Sequence, residues 1–527
     1  MIRLALSILI VGCCQPIVAA VPNIVVILAD DLGIGDVKCY NPHGKIPTPN
    51  LDRLAMQGVR FTDAHSASAV CSPTRYGLLT GRYCWRTKLQ NSVLGGLSPR
   101  LIAPDRETVA SLLKKQGYHT ACIGKWHLGL DWKLKPGKKV AELSIESREQ
   151  VFNVEYDQPF AGGPNAVGFD YFFGISASLD MVPYTFLEND HVTVNPTEDK
   201  DFAMMKGRAA SGRNRKGPTA PGFDAMDVLP TLGKKAVEYI AARKAEKAKP
   251  FFLYLPLTAP HTPILPTDNW DGKSKLNPYA DFVMHTDAIV GDVMAALEKQ
   301  GLTDDTLVIF SSDNGCSPQA DFPELLKLGH NPSSIYRGTK ADIYEGGHRV
   351  PFLVRWPGVA RPGNVSDQIV CLNDIFRTCC EAGGATVPVT AGEDSYSFLG
   401  ELNSNPTSPV RTSIVHHSIN GSFAIRDGDW KLCLCPGSGG WSAPRPNRDD
   451  ASKLSKQQLF NLQDDLGETK NLEAEQPETV KRLLTKLEQN VTKGRSTAGP
   501  AQKNDVPIDI WKAGTAAMKP PTKKNAK

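Results

Sequence analysis

The sequence predicts an α/β protein, a mostly parallel sheet flanked by helices, followed by a smaller C-terminal α+β domain. Three observations lead there. Four continuous apolar, β-rich runs each end in polar residues, as strands buried on both faces do. Segments with helical spacing of apolar residues lie between them, and parallel strands need such crossovers. From about Arg411 the pattern changes to short strands, a hairpin signal and a closing amphipathic helix.

In chain order, the first run is Ile24-Val25-Val26-Ile27-Leu28, ending at Asp30-Asp31. Thr48-Pro49 opens a helix through Leu51, Leu54 and Ala55 that stops at Gly58. Residues 107–116 carry Val109, Leu112 and Leu113 on one helical face before Gly117. The second run, His119 to Gly124, ends at Lys125-Trp126-His127. Residues 131–230, rich in Gly, Pro and charge, read as a loop-rich insertion. A helix over 234–248 follows, with Val237, Ile240 and Ala241. The third run, Phe251-Phe252-Leu253-Tyr254-Leu255, ends near His261. A longer helix carries Ile289, Val290, Val293, Met294 and Leu297 and closes at Gly301. The fourth run, Thr306-Leu307-Val308-Ile309-Phe310, ends at Asp313-Asn314. Beyond it, strands are expected at Ser422 to Arg426, Trp430 to Leu434 and Gln458 to Leu462, with Asp427-Gly428 turning between the first two. A helix over 477–490 presents Val480, Leu483, Leu484 and Leu487. The domains are therefore set at 21–410 and 411–490, with a tail over 491–527 whose Lys- and Pro-rich end from Met518 reads as disordered.

Bulk properties narrow the class. The chain has 527 residues, 41% hydrophobic and 22% charged, enough for two or three domains with a large core. With 60 basic and 56 acidic residues the net charge of +4 is too balanced for nucleic-acid binding. Residues 1–20 read as a signal peptide: Arg3, an apolar stretch over 4–11, then Val18-Ala19-Ala20 for cleavage. The stretch is too short for a comfortable transmembrane span. An exported protein, periplasmic or secreted, is expected. Ile10-Val11-Gly12-Cys13 leaves a lipid anchor at Cys13 open. Of twelve cysteines, Cys13 and Cys14 leave with the signal, and some of the rest can pair in an exported chain.

Polar residues gather where the apolar runs end. In open α/β sheets ligands bind beyond the carboxyl ends of the strands, so these distant segments can meet in one cleft. Asp30-Asp31 and Asp313-Asn314 offer an all-oxygen set suited to calcium or magnesium. Each pair alone is also a reasonable turn or helix cap. Lys125 and His127, two apart, share a face if the strand continues. Cys71-Ser72-Pro73-Thr74-Arg75 precedes a short helix, with Pro73 at its first position, Ser72 as cap and Gly81 at its end. Taken alone, Cys71 would be an ordinary buried cysteine.

Cys71-x-Pro73-x-Arg75 followed by Leu79-Thr80-Gly81-Arg82 resembles the signature of type I sulfatases, which oxidise that cysteine to formylglycine, an aldehyde. Gly124-Lys125-Trp126-His127-Leu128-Gly129 resembles the family's second signature. The likeness covers most of 22–490 and points to arylsulfatases and N-acetylgalactosamine-6-sulfatases. It implies an alkaline-phosphatase-like fold and one calcium ion held by Asp30, Asp31, Asp313, Asn314 and modified residue 71. It implies catalytic roles for Cys71, Arg75, Lys125, His127, His261 and Lys340. Sulfate contacts would come from Lys125, His261, Lys340 and Ser178. A formylglycine-generating maturation enzyme would be a partner.

The implied chemistry is hydrolysis of sulfate monoesters. A hydroxyl of the hydrated aldehyde attacks sulfur, His261 or Lys340 protonates the departing alcohol, and His127 then helps expel sulfate. Sulfated carbohydrates are the expected substrates; Phe172, Phe173, Asp180 and Tyr184 flank Ser178 and suit a sugar-binding surface, while Phe172 and Phe173 read equally well as core. The alternatives are a phosphomonoester or phosphonate hydrolase on the same fold, an inactive carbohydrate-binding relative, and a thiol hydrolase using Cys71.

Overall fold

A computed structural model describes residues 21–512 apart from 247–248, 404–408 and 447. The expected signal peptide, Cys13 and the chain from Met518 lie outside the described residues.

The main sheet has ten strands. They are β1 (Asn23–Asp30), β2 (Val59–Phe61), β3 (His119–Lys125), β4 (Tyr171–Ile175), β5 (Leu187–Glu188), β6 (His191–Val192), β7 (Phe251–Pro260), β8 (Thr306–Ser312), β9 (Phe352–Arg355) and β10 (Asn364–Ser366). Their order across the sheet is β10-β2-β9-β8-β1-β7-β3-β4-β5-β6. The centre, β8-β1-β7-β3-β4, is parallel. Antiparallel pairing of β9 with β8 and β2, and of β5 with β4, makes the flanks mixed. Every residue of β1, β7 and β8 is buried, which is why their sequences are apolar without alternation.

Helices α1 (Pro49–Met56), α4 (Val228–Arg243) and α5 (Pro278–Lys299) pack as one layer. Helices α2 (Cys71–Thr80), α3 (Val109–Lys115) and α6 (Asp374–Ala382) pack as another. The expected sheet flanked by helices is thus present, parallel at its centre and mixed at its flanks. The small domain is an antiparallel sheet of β11 (Ser413–His417), β12 (Phe423–Asp427), β13 (Trp430–Cys433) and β14 (Gln458–Asn461). Helix α7 (Pro477–Lys493) covers it, burying Val480, Leu483 and Leu487. No helix among the described residues is long and apolar enough to cross a membrane.

Several expectations change. The insertion over 131–230 is not only loop: it supplies β4 to the parallel sheet. Gly174 is what lets β4 lie so close, since a Cβ there would come within 1.8 Å of the Gly124 carbonyl oxygen. Phe172 and Phe173 are buried, and Tyr184 packs edge-on against Phe202. Asp180 pairs with Arg215 at 3.0 Å. The expected sugar-binding surface is therefore core and a salt bridge. The start of the tail, about which the sequence made no structural demand, is anchored: Arg82 binds Asp505 and the Lys503 carbonyl, and Ile510 is buried. Among the described residues every cysteine is unpaired.

Candidate active site

The carboxyl ends of β1, β3, β7 and β8 and the amino end of α2 converge. Asp30 ends β1, and Asp31 follows with φ 65°, a left-handed conformation that aspartate tolerates better than most side chains. The Asp313 amide bonds to the Ala29 carbonyl at 3.1 Å, which sets the end of β8 beside the end of β1.

Helix α2 starts at Cys71, two residues earlier than expected, and Val70 is its cap residue. Ser72 does not cap. Its Oγ accepts a bond from the Leu94 amide at 3.2 Å. Gly81 does end the helix, at φ 64°. Residue 71 thus sits where free N–H groups and the helix dipole favour an anion. Its Sγ lies 3.8 Å from Asp30 Oδ1.

Positive groups interleave with the carboxylates. Arg75 donates to Asp313 Oδ2 from Nε at 3.1 Å and from Nη2 at 2.7 Å, and to the Lys125 carbonyl from Nη1 at 2.9 Å. Lys125 Nζ lies 2.5 Å from Asp30 Oδ2. Lys340 Nζ lies 2.8 Å from Asp31 Oδ2, and His261 Nε2 lies 3.6 Å from the same oxygen.

Burial alone would raise the Asp30 carboxyl, but Lys125, His261, Arg75 and Lys340 hold it well below the usual range. Asp313, buried and facing the Asp30 charge, is pushed up to about 6. The Cys71 thiol is pushed up to about 12, mainly by burial. Burial thus disfavours the thiolate form of an unmodified Cys71, which weighs against the thiol-hydrolase alternative.

The two histidines differ. The strand does not continue past Lys125, and His127 has φ 56°, so the two residues do not share a strand face. His127 Nε2 meets the Leu94 carbonyl at 2.8 Å and its Nδ1 has no partner. Nε2 must carry the hydrogen in that bond, so Nδ1 is left as an acceptor. Burial, Lys125 and Arg75 lower the His127 pKa, which keeps the ring neutral. His261 is the reverse: Nδ1 faces the Thr262 carbonyl at 2.6 Å, leaving Nε2 toward Asp31. Ser178 follows β4 in a loop whose Ser176 carbonyl accepts from the His127 amide, and its buried hydroxyl has no partner. No hydrogen bond ties Ser178 to the other site residues.

The donor set fits a hard divalent cation. Asp30, Asp31, Cys71 and His261 place ligand atoms within 4.8 Å of one another. Asn314 donates from Nδ2 to Asp31 Oδ1 at 2.7 Å, which leaves its buried Oδ1 without a donor. An amide oxygen beside carboxylates is what calcium takes. A second cluster, His65, Glu345, His348 and His416, does not fit. The rings of His348 and His416 stack at 3.7 Å with 13° between planes, so their nitrogens cannot point at one ion. Lys431 Nζ already lies 3.0 Å from both Glu345 Oε1 and His348 Nε2.

Sequence reasoning missed the Leu94 carbonyl, which fixes His127. A main-chain atom leaves no signal in residue type.

Residues 22–385 match the sulfatase family. An N-acetylgalactosamine-6-O-sulfatase of Bacteroides thetaiotaomicron is 35% identical over 506 residues, covering 89% of this chain and 92% of the relative. Human arylsulfatase A is 32% identical over 469 residues, covering 86% and 84%. A solved structure concerned with metabolism of multiple glycosaminoglycans by Bacteroides thetaiotaomicron superposes with a TM-score of 0.74 at 33% identity, covering 89% of this chain and 98% of that one. The chain belongs to the sulfatase family. It is a sulfuric ester hydrolase of the arylsulfatase type.

Proposed function

We propose that the enzyme cleaves sulfate monoesters of saccharides, using formylglycine derived from Cys71 and one calcium ion. The supporting observation is the placement of Cys71 at the start of α2, against Asp30 and within a ring of three carboxylates and three cations. Calcium would be held by Asp30, Asp31, Asp313, Asn314 and residue 71. The ion would offset the negative charge of the sulfate and of the nucleophile. Formylglycine, as its hydrate, supplies a hydroxyl nucleophile and a second hydroxyl whose deprotonation releases the product.

The chain's own residues divide the remaining work. Lys125 and Lys340, each within reach of a carboxylate and the nucleophile's position, neutralise sulfate oxygens as charge grows on them. Arg75 holds Asp313, and through the Lys125 carbonyl it fixes the end of β3. Asp313 accepts the proton of the attacking hydroxyl at residue 71, and His127 Nδ1, an acceptor by its tautomer, later takes that of the second hydroxyl as sulfate is expelled. His261 must carry a proton on Nε2 to act as acid. Its Nδ1 already donates to Thr262, so the acidic form is the imidazolium, with Asp31 facing it at 3.6 Å. Ser178 is the weakest member of the set and is proposed only to touch substrate.

The saccharide preference rests on the named N-acetylgalactosamine-6-O-sulfatase relative. Export to the periplasm or outside, by a signal peptide over 1–20, and maturation by a formylglycine-generating enzyme complete the proposal. The mass of the residue-71 peptide, together with sulfate release from an aryl ester and a sulfated sugar, tests it. Full activity with unmodified cysteine at 71 overturns it.

A further inference from the structure

A cleft of about 980 Å³ opens beside the site, lined among others by Pro318, Phe322, Thr339, Trp441, Arg445 and Arg448. Its inner wall grows from two segments that carry site residues. Pro318 follows closely on Asp313 and Asn314, and Thr339 immediately precedes Lys340. The Lys340 amide bonds to the Cys316 carbonyl at 2.8 Å, which ties the two segments together.

The outer wall comes from the small domain and is clamped to the Lys340 segment. Asp342 Oδ1 accepts from the amides of Trp441 at 2.7 Å and Ser442 at 3.0 Å. The Ile343 amide donates to the Ser438 carbonyl at 2.7 Å. Gly440 permits the approach, since a Cβ there would come within 2.4 Å of the Ala341 carbonyl oxygen. Trp441 is 36% exposed despite this anchoring. Arg445 and Arg448 are exposed, and neither is paired with a carboxylate among the described residues. The cleft therefore combines an aromatic face with two guanidinium groups that meet no carboxylate among the described residues. Buried arginines of the same chain, such as Arg75 and Arg86, are by contrast each fully paired.

Resting on the saccharide-sulfatase reading above, we propose that this cleft binds the sugar units flanking the sulfated ring, and that Arg445 and Arg448 recognise an anionic group on them. Its volume exceeds what one monosaccharide fills, and a pyranose ring stacks on an indole face. Guanidinium binds a carboxylate or a sulfate with the same fork of donors. The substrate is thus an anionic oligosaccharide, not an isolated sulfated sugar.

The test compares kcat/KM on four sulfate esters with and without the double substitution Arg445→Ala and Arg448→Ala. They are an aryl sulfate, N-acetylgalactosamine 6-sulfate, a tetrasaccharide in which that sugar alternates with a uronate, and a uronate-free tetrasaccharide bearing a second sulfate. The expected result is a wild-type preference for an anionic tetrasaccharide over the monosaccharide. The substitutions should lower the tetrasaccharide-to-aryl ratio about tenfold or more, through KM, and flatten its salt dependence. The tetrasaccharide that shows the effect identifies the anion. An unchanged ratio overturns the cleft assignment and leaves the sulfatase reading intact. Calorimetric binding of both tetrasaccharides to Cys71→Ala protein reads the cleft without turnover. Tight binding that depends on the two arginines, with no sulfate released by wild type from any ester, would sink the catalytic proposal and keep the cleft. Binding indifferent to the arginines overturns it.

Discussion

Replacing Arg75 by lysine keeps the charge and removes the fork, so it isolates what the fork does. Arg75 is wholly buried and makes two bonds to Asp313 and one to the Lys125 carbonyl. A single ammonium cannot satisfy both partners from one position. Hydrogen bonds to charged groups contribute about 1.5–3 kcal/mol each, and lysine recovers one of the three, so the expected loss is about 3–6 kcal/mol. Arg75→Met goes further. It leaves Asp313 buried against Asp30 with no cation in place of the guanidinium and recovers none of the three bonds, so its loss exceeds that of the lysine variant. Urea titration followed by tryptophan fluorescence should rank wild type above Arg75→Lys above Arg75→Met. Displacement of Asp313 and of the Lys125 backbone should lower kcat/KM for sulfate release by about a hundredfold or more in the lysine variant, or roughly 3 kcal/mol of transition-state stabilisation. Wild-type urea midpoint and wild-type rate in Arg75→Lys would refute the reasoning, because charge alone would then suffice.

Other perturbations separate the remaining roles. Cys71→Ala should retain the circular dichroism of the fold and release no sulfate. Asp31→Ala should lose bound calcium and activity together, and elemental analysis showing stoichiometric calcium in the inactive variant would count against the ligand assignment. His261→Gln should slow esters of high-pKa alcohols much more than activated aryl sulfates, and equal slowing of both would leave His261 as a sulfate contact only. His285, stacked on Trp270, has its pKa pushed down to about 4 by burial. Unfolding lets it protonate near its ordinary value of about 6.5, so its contribution is whole above that pH and is lost as pH falls toward 4. The loss reaches about 3 kcal/mol, and His285→Phe should flatten the stability profile over that window.

Much of this was readable before any coordinates. Continuous apolar runs identified β1, β3, β7 and β8 because the core of a parallel sheet leaves no room for alternation. Their polar ends pointed at the cleft for the same reason. The short edge strands β2, β9 and β10 were not legible, since three or four residues carry no period. Strand β4 hid behind Gly174, a residue that weakens strand propensity and yet is required by the close approach to β3. Placing Pro73 first in its helix followed a statistical preference that tertiary contacts overrode, because the Ser72 hydroxyl is engaged by Leu94. Phe172 and Phe173 stayed open between surface and core because residue type cannot tell a buried aromatic from an exposed one, and the fold decides for core. Trp441, Arg445 and Arg448 lie in a stretch with no motif, and only folding brings them beside Lys340.

That last juxtaposition changes how the small domain should be regarded. Lys340 has a single hydrogen-bonded carboxylate, Asp31, yet the segment after it is held at three places. Asp342 receives amides from the 441–442 loop, and Glu345 is bonded to Lys431 of β13 at 3.0 Å. Arg349 reaches Asp63 at 2.7 Å, and Arg426 of β12 shares that carboxylate. Lys431 also meets Glu468 at 2.8 Å, so the anchoring continues beyond the sheet. The links of Glu345, Arg349, Arg426 and Lys431 are buried, where an unpaired charge costs several kcal/mol. The small domain cannot shift without stranding charges, and Lys340 cannot shift without the small domain. Two domains are therefore needed to place one lysine, and the cleft that opens beside it is bounded by the same contacts.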